Sequence, residues 1–121
     1  MLFFNSFIIE GAAQCSIFCN GTTQDNALPL SVDNMCQSTI LASSVIDLSS
    51  TDCVGGKELT VRDLMNNQIA EDIDQVTFDA STYIGDIISV TVTDTATGLF
   101  CVSFVEIIDN LPPSIDCQSA M

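Results

Sequence analysis

Residues 87–107 constrain the fold of this chain more than any other stretch of its sequence. Ile88, Val90 and Val92 alternate with serine and threonine, which is the two-residue period of a strand with one buried face. Residues 99–107 follow as a second strand that is apolar on both faces, as is typical of a strand inside a two-layer structure. Residues 94–98 are predicted to form a tight turn between them, because Gly98 can adopt the positive φ that such turns need. This antiparallel pair is predicted to be the centre of a β-sandwich.

Shorter strands are predicted elsewhere in the chain. Residues 27–32 alternate in the same way, and Pro29, which has no N–H, predicts that this strand lies at a sheet edge. A turn is expected at residues 66–67, and residues 43–52 fit either one irregular helical turn or a connecting strand. The other predicted strands cover residues 36–42, 57–63 and 75–79.

The predicted fold is therefore an all-β, immunoglobulin-like antiparallel β-sandwich of about seven strands, stapled by disulfides. The length of 121 residues is that of one domain. We assign residues 14–109 to it.

The two ends of the sequence differ in composition from this domain. Residues 1–13 begin with an apolar run and end in small residues, which is typical of the rear half of a signal peptide cleaved after Ala13. An ordinary N-terminal strand is the alternative. Residues 110–121 are interpreted as a linker stiffened by Pro112 and Pro113, followed by the start of another repeat, because residues 115–118 are similar to residues 13–16.

The charge of the chain excludes some partners. Sixteen acidic residues against Lys57 and Arg62 give a net charge of −14. Binding to nucleic acid or to an anionic membrane surface depends on clustered Lys and Arg, so neither is expected. Insertion into a membrane is not expected either, because spanning requires about 20 apolar residues.

The six cysteines indicate disulfides and an oxidising compartment. A zinc site needs close pairs of ligands, but only Cys15 and Cys19 form such a pair, and the chain has no histidine. We therefore predict an extracellular or cell-surface location. Cys36 and Cys53 flank a short excursion of the chain and are predicted to staple it. The full set of disulfide candidates is Cys15, Cys19, Cys36, Cys53, Cys101 and Cys117.

The sequence offers little chemistry for an enzyme. Without histidine, neither a serine triad nor a cysteine–histidine pair can form, and there is no glycine-rich phosphate loop. We predict that the chain is not an enzyme and has no catalytic residue, no metal site and no required cofactor. A small hydrolase that uses a pair of carboxylates is the less favoured alternative. Carboxylates could still bind calcium if turns brought them together. The candidates are Glu71, Asp72, Asp74 and Asp79 as one group, and Asp47 and Asp52 as another.

Several of these segments together resemble a known family. Residues 33–40, residues 83–98, Cys101 and residues 105–117, with Leu-Pro-Pro at 111–113, are similar to the HYR-like, immunoglobulin-like repeats of large secreted or surface proteins of Bacteroidetes-type bacteria, which are cargo of type IX secretion. The resemblance covers residues 15–117. It departs from the usual pattern at Val102, where the family commonly has tryptophan, and at Asn110, where it commonly has lysine.

The resemblance implies a function and a cross-link. It implies a noncatalytic extracellular structural or adhesive module of a longer repetitive protein, whose partners are neighbouring repeats and a surface glycan or protein. A ligand-binding β-sandwich, with or without calcium, is the alternative. The resemblance also implies a disulfide from Cys101 to the start of the domain, at Cys19 or Cys15. Cys117 would then be the counterpart of Cys15 in a following repeat.

Overall fold

A computed structural model describes residues 15–110, and every structural statement below concerns those residues. The signal-peptide interpretation of residues 1–13 and the linker interpretation of residues 111–121 lie outside the described residues. The described chain is built from seven strands in two sheets, with one helical turn, α1 (Ala42–Val45), and one 3-10 turn (Gln24–Asn26). The strands are β1 (Leu28–Ser31), β2 (Gln37–Leu41), β3 (Lys57–Arg62), β4 (Gln68–Ile73), β5 (Gln75–Asp79), β6 (Ile87–Asp94) and β7 (Phe100–Ile108).

The larger sheet has the strand order β1-β7-β6-β3-β4, and the smaller sheet pairs β2 with β5. In the larger sheet, the strand pairs are antiparallel except for β1 and β7, which run parallel. The prediction of an all-β sandwich of about seven strands, stapled by disulfides, is confirmed.

The core lies between the two sheets, where the alternating side chains meet. Ile88, Val90 and Val92 on β6 are fully buried. The inner face of the smaller sheet covers them with buried side chains such as Ile40 and Phe78. Burying these apolar side chains stabilises the sandwich by roughly 1.5–3 kcal/mol each.

Several local predictions agree with the structure. β1 contacts β7 alone within its sheet, so the strand that contains Pro29 is an edge strand, as predicted. Gly98 has a φ of 80°, and Asn66, with a φ of 71°, turns the chain between β3 and β4. Of the two alternatives for residues 43–52, the structure shows the helical turn at its start, as α1, after which Ile46 forms an isolated β-bridge with Cys19.

The prediction that β7 is buried on both faces is wrong. Phe100 is 62% exposed, and Val102 and Phe104 are only half-buried. The reason is that the second layer covers the inner face of β7, whereas its outer face looks into solvent. An apolar run therefore did not imply two covered faces here.

The described chain crosses the molecule from one end to the other. β3 and β7 are both antiparallel to β6, so both begin at the same end of the larger sheet. Cys15 is bonded to Cys53, just before β3, and Asn110 follows the far end of β7. Residues 15 and 110 thus lie towards opposite ends of the sandwich.

Candidate functional site

Two disulfides hold the end of the sandwich at which β3 and β7 begin. Cys15 is bonded to Cys53, and Cys19 is bonded to Cys101, with sequence separations of 38 and 82 residues. We call this region, formed by the four cysteines with Lys57 and Asp94, the cross-linked end. The structure thus contains the Cys19 alternative of the two that the resemblance implied for Cys101.

Hydrogen bonds fix the N-terminal segment of the cross-linked end in place. The Ser16 N–H donates to Oδ1 of Asp52 at 2.5 Å, and the Ser16 carbonyl accepts from the N–H groups of Asp52 and Cys53. The Phe18 carbonyl accepts from the N–H of Asp47 at 2.7 Å. These contacts lay residues 15–19 against residues 45–53, which brings Cys15 to Cys53.

The predicted staple between Cys36 and Cys53 is wrong, because Cys53 is bonded to Cys15. Cys36 precedes β2, whereas the loop that contains Cys53 follows β2. The two ends of this five-residue strand are roughly 16 Å apart, which keeps Cys36 away from that loop. All five cysteines among residues 15–110 are disulfide-bonded. Cys117, the sixth candidate, lies outside the described residues.

A buried ion pair, which was not predicted from the sequence, lies beside the disulfides. Nζ of Lys57 is 3.1 Å from Oδ1 of Asp94, and their side chains are 10% and 1% exposed. Nζ also donates to the carbonyls of Cys53, at 3.1 Å, and Gly55. The lysine ammonium therefore ties the loop before β3 to the end of β6.

Further hydrogen bonds satisfy the Asp94 carboxylate. Oδ2 accepts from the hydroxyl of Thr97 at 2.8 Å and from its N–H at 3.0 Å. The Thr97 hydroxyl contributes most to holding the pKa of Asp94 below its ordinary value, and Lys57 acts in the same direction, whereas burial opposes both. The paired charges and their hydrogen bonds close the turn between β6 and β7. The only sequence signal for this pair was that Lys57 is one of two basic residues and starts an apolar strand.

The carboxylates suggested as calcium ligands do not gather into a site. Of the residues that the structure describes, one group of three or more potential metal ligands comes together: Cys15, Asp52 and Cys53. Its two sulfurs are bonded to each other, so they cannot serve as thiolate ligands. Among the described residues, neither Asp47 nor any of Glu71, Asp72, Asp74 and Asp79 belongs to such a group.

Many of these carboxylates instead accept hydrogen bonds from nearby residues. Asp47 accepts from the Ser49 hydroxyl and Asp79 from the N–H and hydroxyl of Ser81, and these hydrogen bonds lower the pKa of each aspartate. Asp63 does the same for the turn between β3 and β4, where the N–H of Asn67 is the main cause of its lowered pKa. Such contacts stabilise turns by satisfying backbone donors.

One pair of acids is unfavourably placed. The carboxyl group of Glu58 on β3 lies beside that of Glu71 on β4, and this contact raises the pKa of Glu58. Thr60 offers its hydroxyl to Glu71 at 3.4 Å. The pair lies on the outer face of the larger sheet, where solvent screens it.

A cavity of about 460 Å³ lies at the end of the sandwich opposite the cross-linked end. Asp63, Tyr83 and Asp86 line it together with apolar side chains. A general acid in a hydrolase needs a raised pKa, whereas the pKa of Asp63 is lowered and its oxygens are occupied by the turn. The cavity therefore does not offer Asp63 as a general acid.

No family model, curated protein or solved structure matches this chain. The two disulfides indicate an oxidising environment of the extracellular type. Among residues 15–110, no helix is long and apolar enough to cross a membrane.

Proposed function

We propose that this chain is a noncatalytic structural and adhesive module of a longer secreted or cell-surface protein. It spaces and displays neighbouring repeats of the same polypeptide outside the cell. The observation that supports this proposal most is the disulfide between Cys19 and Cys101, in a chain that enters at one end of the sandwich and leaves at the other. The resemblance to HYR-like repeats supports the same role.

The disulfide changes how the module would carry a pulling force. Tension that enters at Cys15 reaches Cys19, passes through the disulfide to Cys101, and continues along β7 to Asn110. Residues 20–100, which contain most of the core, lie inside a closed covalent loop and are bypassed. A module wired in this way keeps its length under load, which suits a spacer between domains.

Single-molecule stretching of the full chain between two cysteine-free reference domains tests the proposal. Each stretched residue contributes roughly 3.6 Å, so the bypassed separation of 82 residues corresponds to roughly 300 Å. The oxidised chain should therefore unfold with an extension about 300 Å shorter than that of the reduced chain.

Two paired variants serve as matched controls. Cys15→Ser with Cys53→Ser leaves the Cys19–Cys101 shortcut intact and should keep the short extension. Cys19→Ser with Cys101→Ser removes the shortcut and should lengthen it. An oxidised wild-type chain that extends as far as the reduced chain would contradict the proposed load-bearing role.

A further inference from the structure

Within residues 15–110 the sandwich has four edge strands, and three of them are protected against pairing with another chain. Free strand edges promote association, and proteins block them with proline, charges, bulges or local hydrogen bonds. β1 contains Pro29, which has no N–H to offer. β4 carries a bulge opposite residues 61 and 62, the charged Glu71, and an N–H at Ile73 that donates to Oδ1 of Asp72 at 2.8 Å.

Local hydrogen bonds protect the edge of β2. The Gln37 N–H donates to Oδ1 of Asp33 at 3.0 Å, and the Gln37 carbonyl accepts from the Asp33 N–H at 2.8 Å. At the other end of the strand, the Leu41 carbonyl accepts from the Ser44 hydroxyl at 2.8 Å. Thr39 alone keeps both backbone groups of this edge open.

The free edge of β5 has no hydrogen-bond partner among the described residues along its whole length. The Ala42 N–H donates to the Asp74 carbonyl and the Ala80 N–H to the Cys36 carbonyl, which fixes the alternation of the ladder between β2 and β5. Val76 and Phe78 therefore direct their backbone groups towards β2. Those of Gln75, Thr77 and Asp79 point away from it. Within residues 15–110, no residue forms a hydrogen bond with these outward N–H and C=O groups.

The charge around this edge selects the kind of strand that fits. Asp79 lies on β5, and Asp72 and Asp74 immediately precede the strand, whereas residues 72–79 include no lysine or arginine. Of the two basic residues of the chain, Lys57 is buried against Asp94, and Arg62 lies opposite Gln68 at the end of β4 that is farther from β5, so neither forms an ion pair with these three acids. The edge thus offers unpaired backbone N–H and C=O groups in a negative electrostatic potential.

We propose that β5 binds an extended, lysine- or arginine-bearing segment of a partner protein as an added antiparallel strand. Main-chain hydrogen bonds to Gln75, Thr77 and Asp79 supply the affinity, and the surrounding carboxylates select basic side chains. A second copy of this chain fits worse, because it brings the same acidic edge and a net charge of −14. This inference goes beyond the proposed spacer role and does not depend on it.

A titration of the isotope-labelled, oxidised full chain with a synthetic peptide tests the proposal by NMR. The probe is a capped hexapeptide in which lysine and valine alternate, so that lysine faces solvent and valine continues the inner face. We expect shifts of the amide resonances of residues 75–79 and slower hydrogen exchange at Thr77. The same peptide with glutamate in place of lysine should bind at least about tenfold more weakly, which corresponds to about 1.4 kcal/mol.

Two proline variants form a matched pair. Thr77→Pro removes an outward N–H from the edge of β5, and Thr39→Pro removes the equivalent N–H from the edge of β2. Neither N–H takes part in the ladder between the two strands, and each variant loses the same hydroxyl contact of 2.8 Å between Thr39 and Thr77. Thr77→Pro should weaken peptide binding at least about tenfold, whereas Thr39→Pro should leave it within about twofold.

N-methylated peptides keep the test decisive if Thr77→Pro does not fold. Methyl groups on one alternating set of peptide nitrogens should abolish binding, and methyl groups on the other set should preserve it, since a strand presents only one edge to β5. Equal binding of both isomers, equal binding of the glutamate peptide, or no shift at residues 75–79 would overturn the proposal. So would a concentration-dependent shift of Thr77 without peptide, which would identify a second copy as the occupant. Each of these results leaves the stretching experiment unaffected.

Discussion

At the residue scale, Lys57 and Asp94 depend on each other, because each is a buried charge whose nearest counter-charge is the other. Replacing Lys57 with methionine leaves the Asp94 carboxylate buried without its cation. Breaking a buried ion pair on one side is strongly destabilising, so we expect Lys57→Met to lower the Tm by about 10 °C or more. Calorimetry at pH 7 measures this shift.

Arg62→Met is the matched control, since it also removes one of the two positive charges of the chain. Arg62 lies on the half-exposed outer face and forms no ion pair with any carboxylate that the structure describes. Its replacement should change the Tm by no more than a few degrees. Equal effects of the two variants would show that net charge, and not the buried pair, determines the loss.

The folded state disfavours the ionised form of Glu58. The neighbouring Glu71 raises the pKa of Glu58, so ionised Glu58 destabilises the folded chain. The penalty is complete above the raised pKa and vanishes below the unfolded value of about 4.3, where both states are protonated. Glu58→Gln should therefore raise the Tm at pH 7, and this advantage should disappear as the pH falls below about 4.

Glu106→Gln provides the comparison for this prediction. Glu106 is an exposed acid on the same larger sheet, opposite Ile87 and Pro29. Its replacement therefore removes the same charge from a position that has no carboxylate opposite it. Thermal unfolding across pH 3–8 should show a smaller gain for this variant. An equal gain would assign the effect to the overall charge of −14.

At the scale of the elements, the β6–β7 hairpin depends on the backbone conformation of Gly98. Its φ of 80° is one that side-chain-bearing residues adopt at a cost, although an added Cβ would meet no atom within 4 Å. Gly98→Ala should therefore destabilise the chain by about 1–2 kcal/mol through strain alone. Gly98→Asn should cost less, because asparagine tolerates this region better than alanine. Denaturant unfolding measures both, and a smaller loss for alanine than for asparagine would contradict the explanation.

The strands could largely be predicted from the sequence because each signal is local. Alternation along β6 identifies a buried face, and Pro29 identifies an edge strand without any knowledge of its neighbours. The face of β7 that carries Phe100 could not be predicted, since covering it depends on how many strands the second sheet contains. A sequence pattern states what a face prefers to contact but not whether a second layer is there.

The cross-linked end was less predictable because it is assembled from distant segments. Cys15 meets Cys53 only because residues 16 and 18 form hydrogen bonds with residues 47–53. The partnership of Lys57 and Asp94 likewise follows from the pairing of β3 with β6, where the two residues are opposite each other. The edge of β5 is open because no other strand of the described residues lies beside it. The sequence of β5 itself does not show whether such a neighbour exists.

At the scale of the whole molecule, the disulfides restrict the unfolded chain in proportion to the loops that they close. For the separation of 82 residues between Cys19 and Cys101, this effect is worth about 4–5 kcal/mol, and for the separation of 38 residues it is somewhat less. Cys19→Ala with Cys101→Ala should therefore lower the free energy of unfolding by about 4 kcal/mol. Cys15→Ala with Cys53→Ala should lower it by slightly less, and the reverse order would indicate that native-state contacts at Cys15 dominate.

The pairing of the cysteines is the claim on which the covalent shortcut, the proposed load path and the proposed extracellular location all depend. Peptide mapping by mass spectrometry under non-reducing conditions tests it directly on the full chain, purified without reductant. We expect one cross-linked peptide that joins Cys19 to Cys101 and another that joins Cys15 to Cys53. A peptide that joins Cys36 to Cys53, or reduced thiols at these positions, would contradict the account.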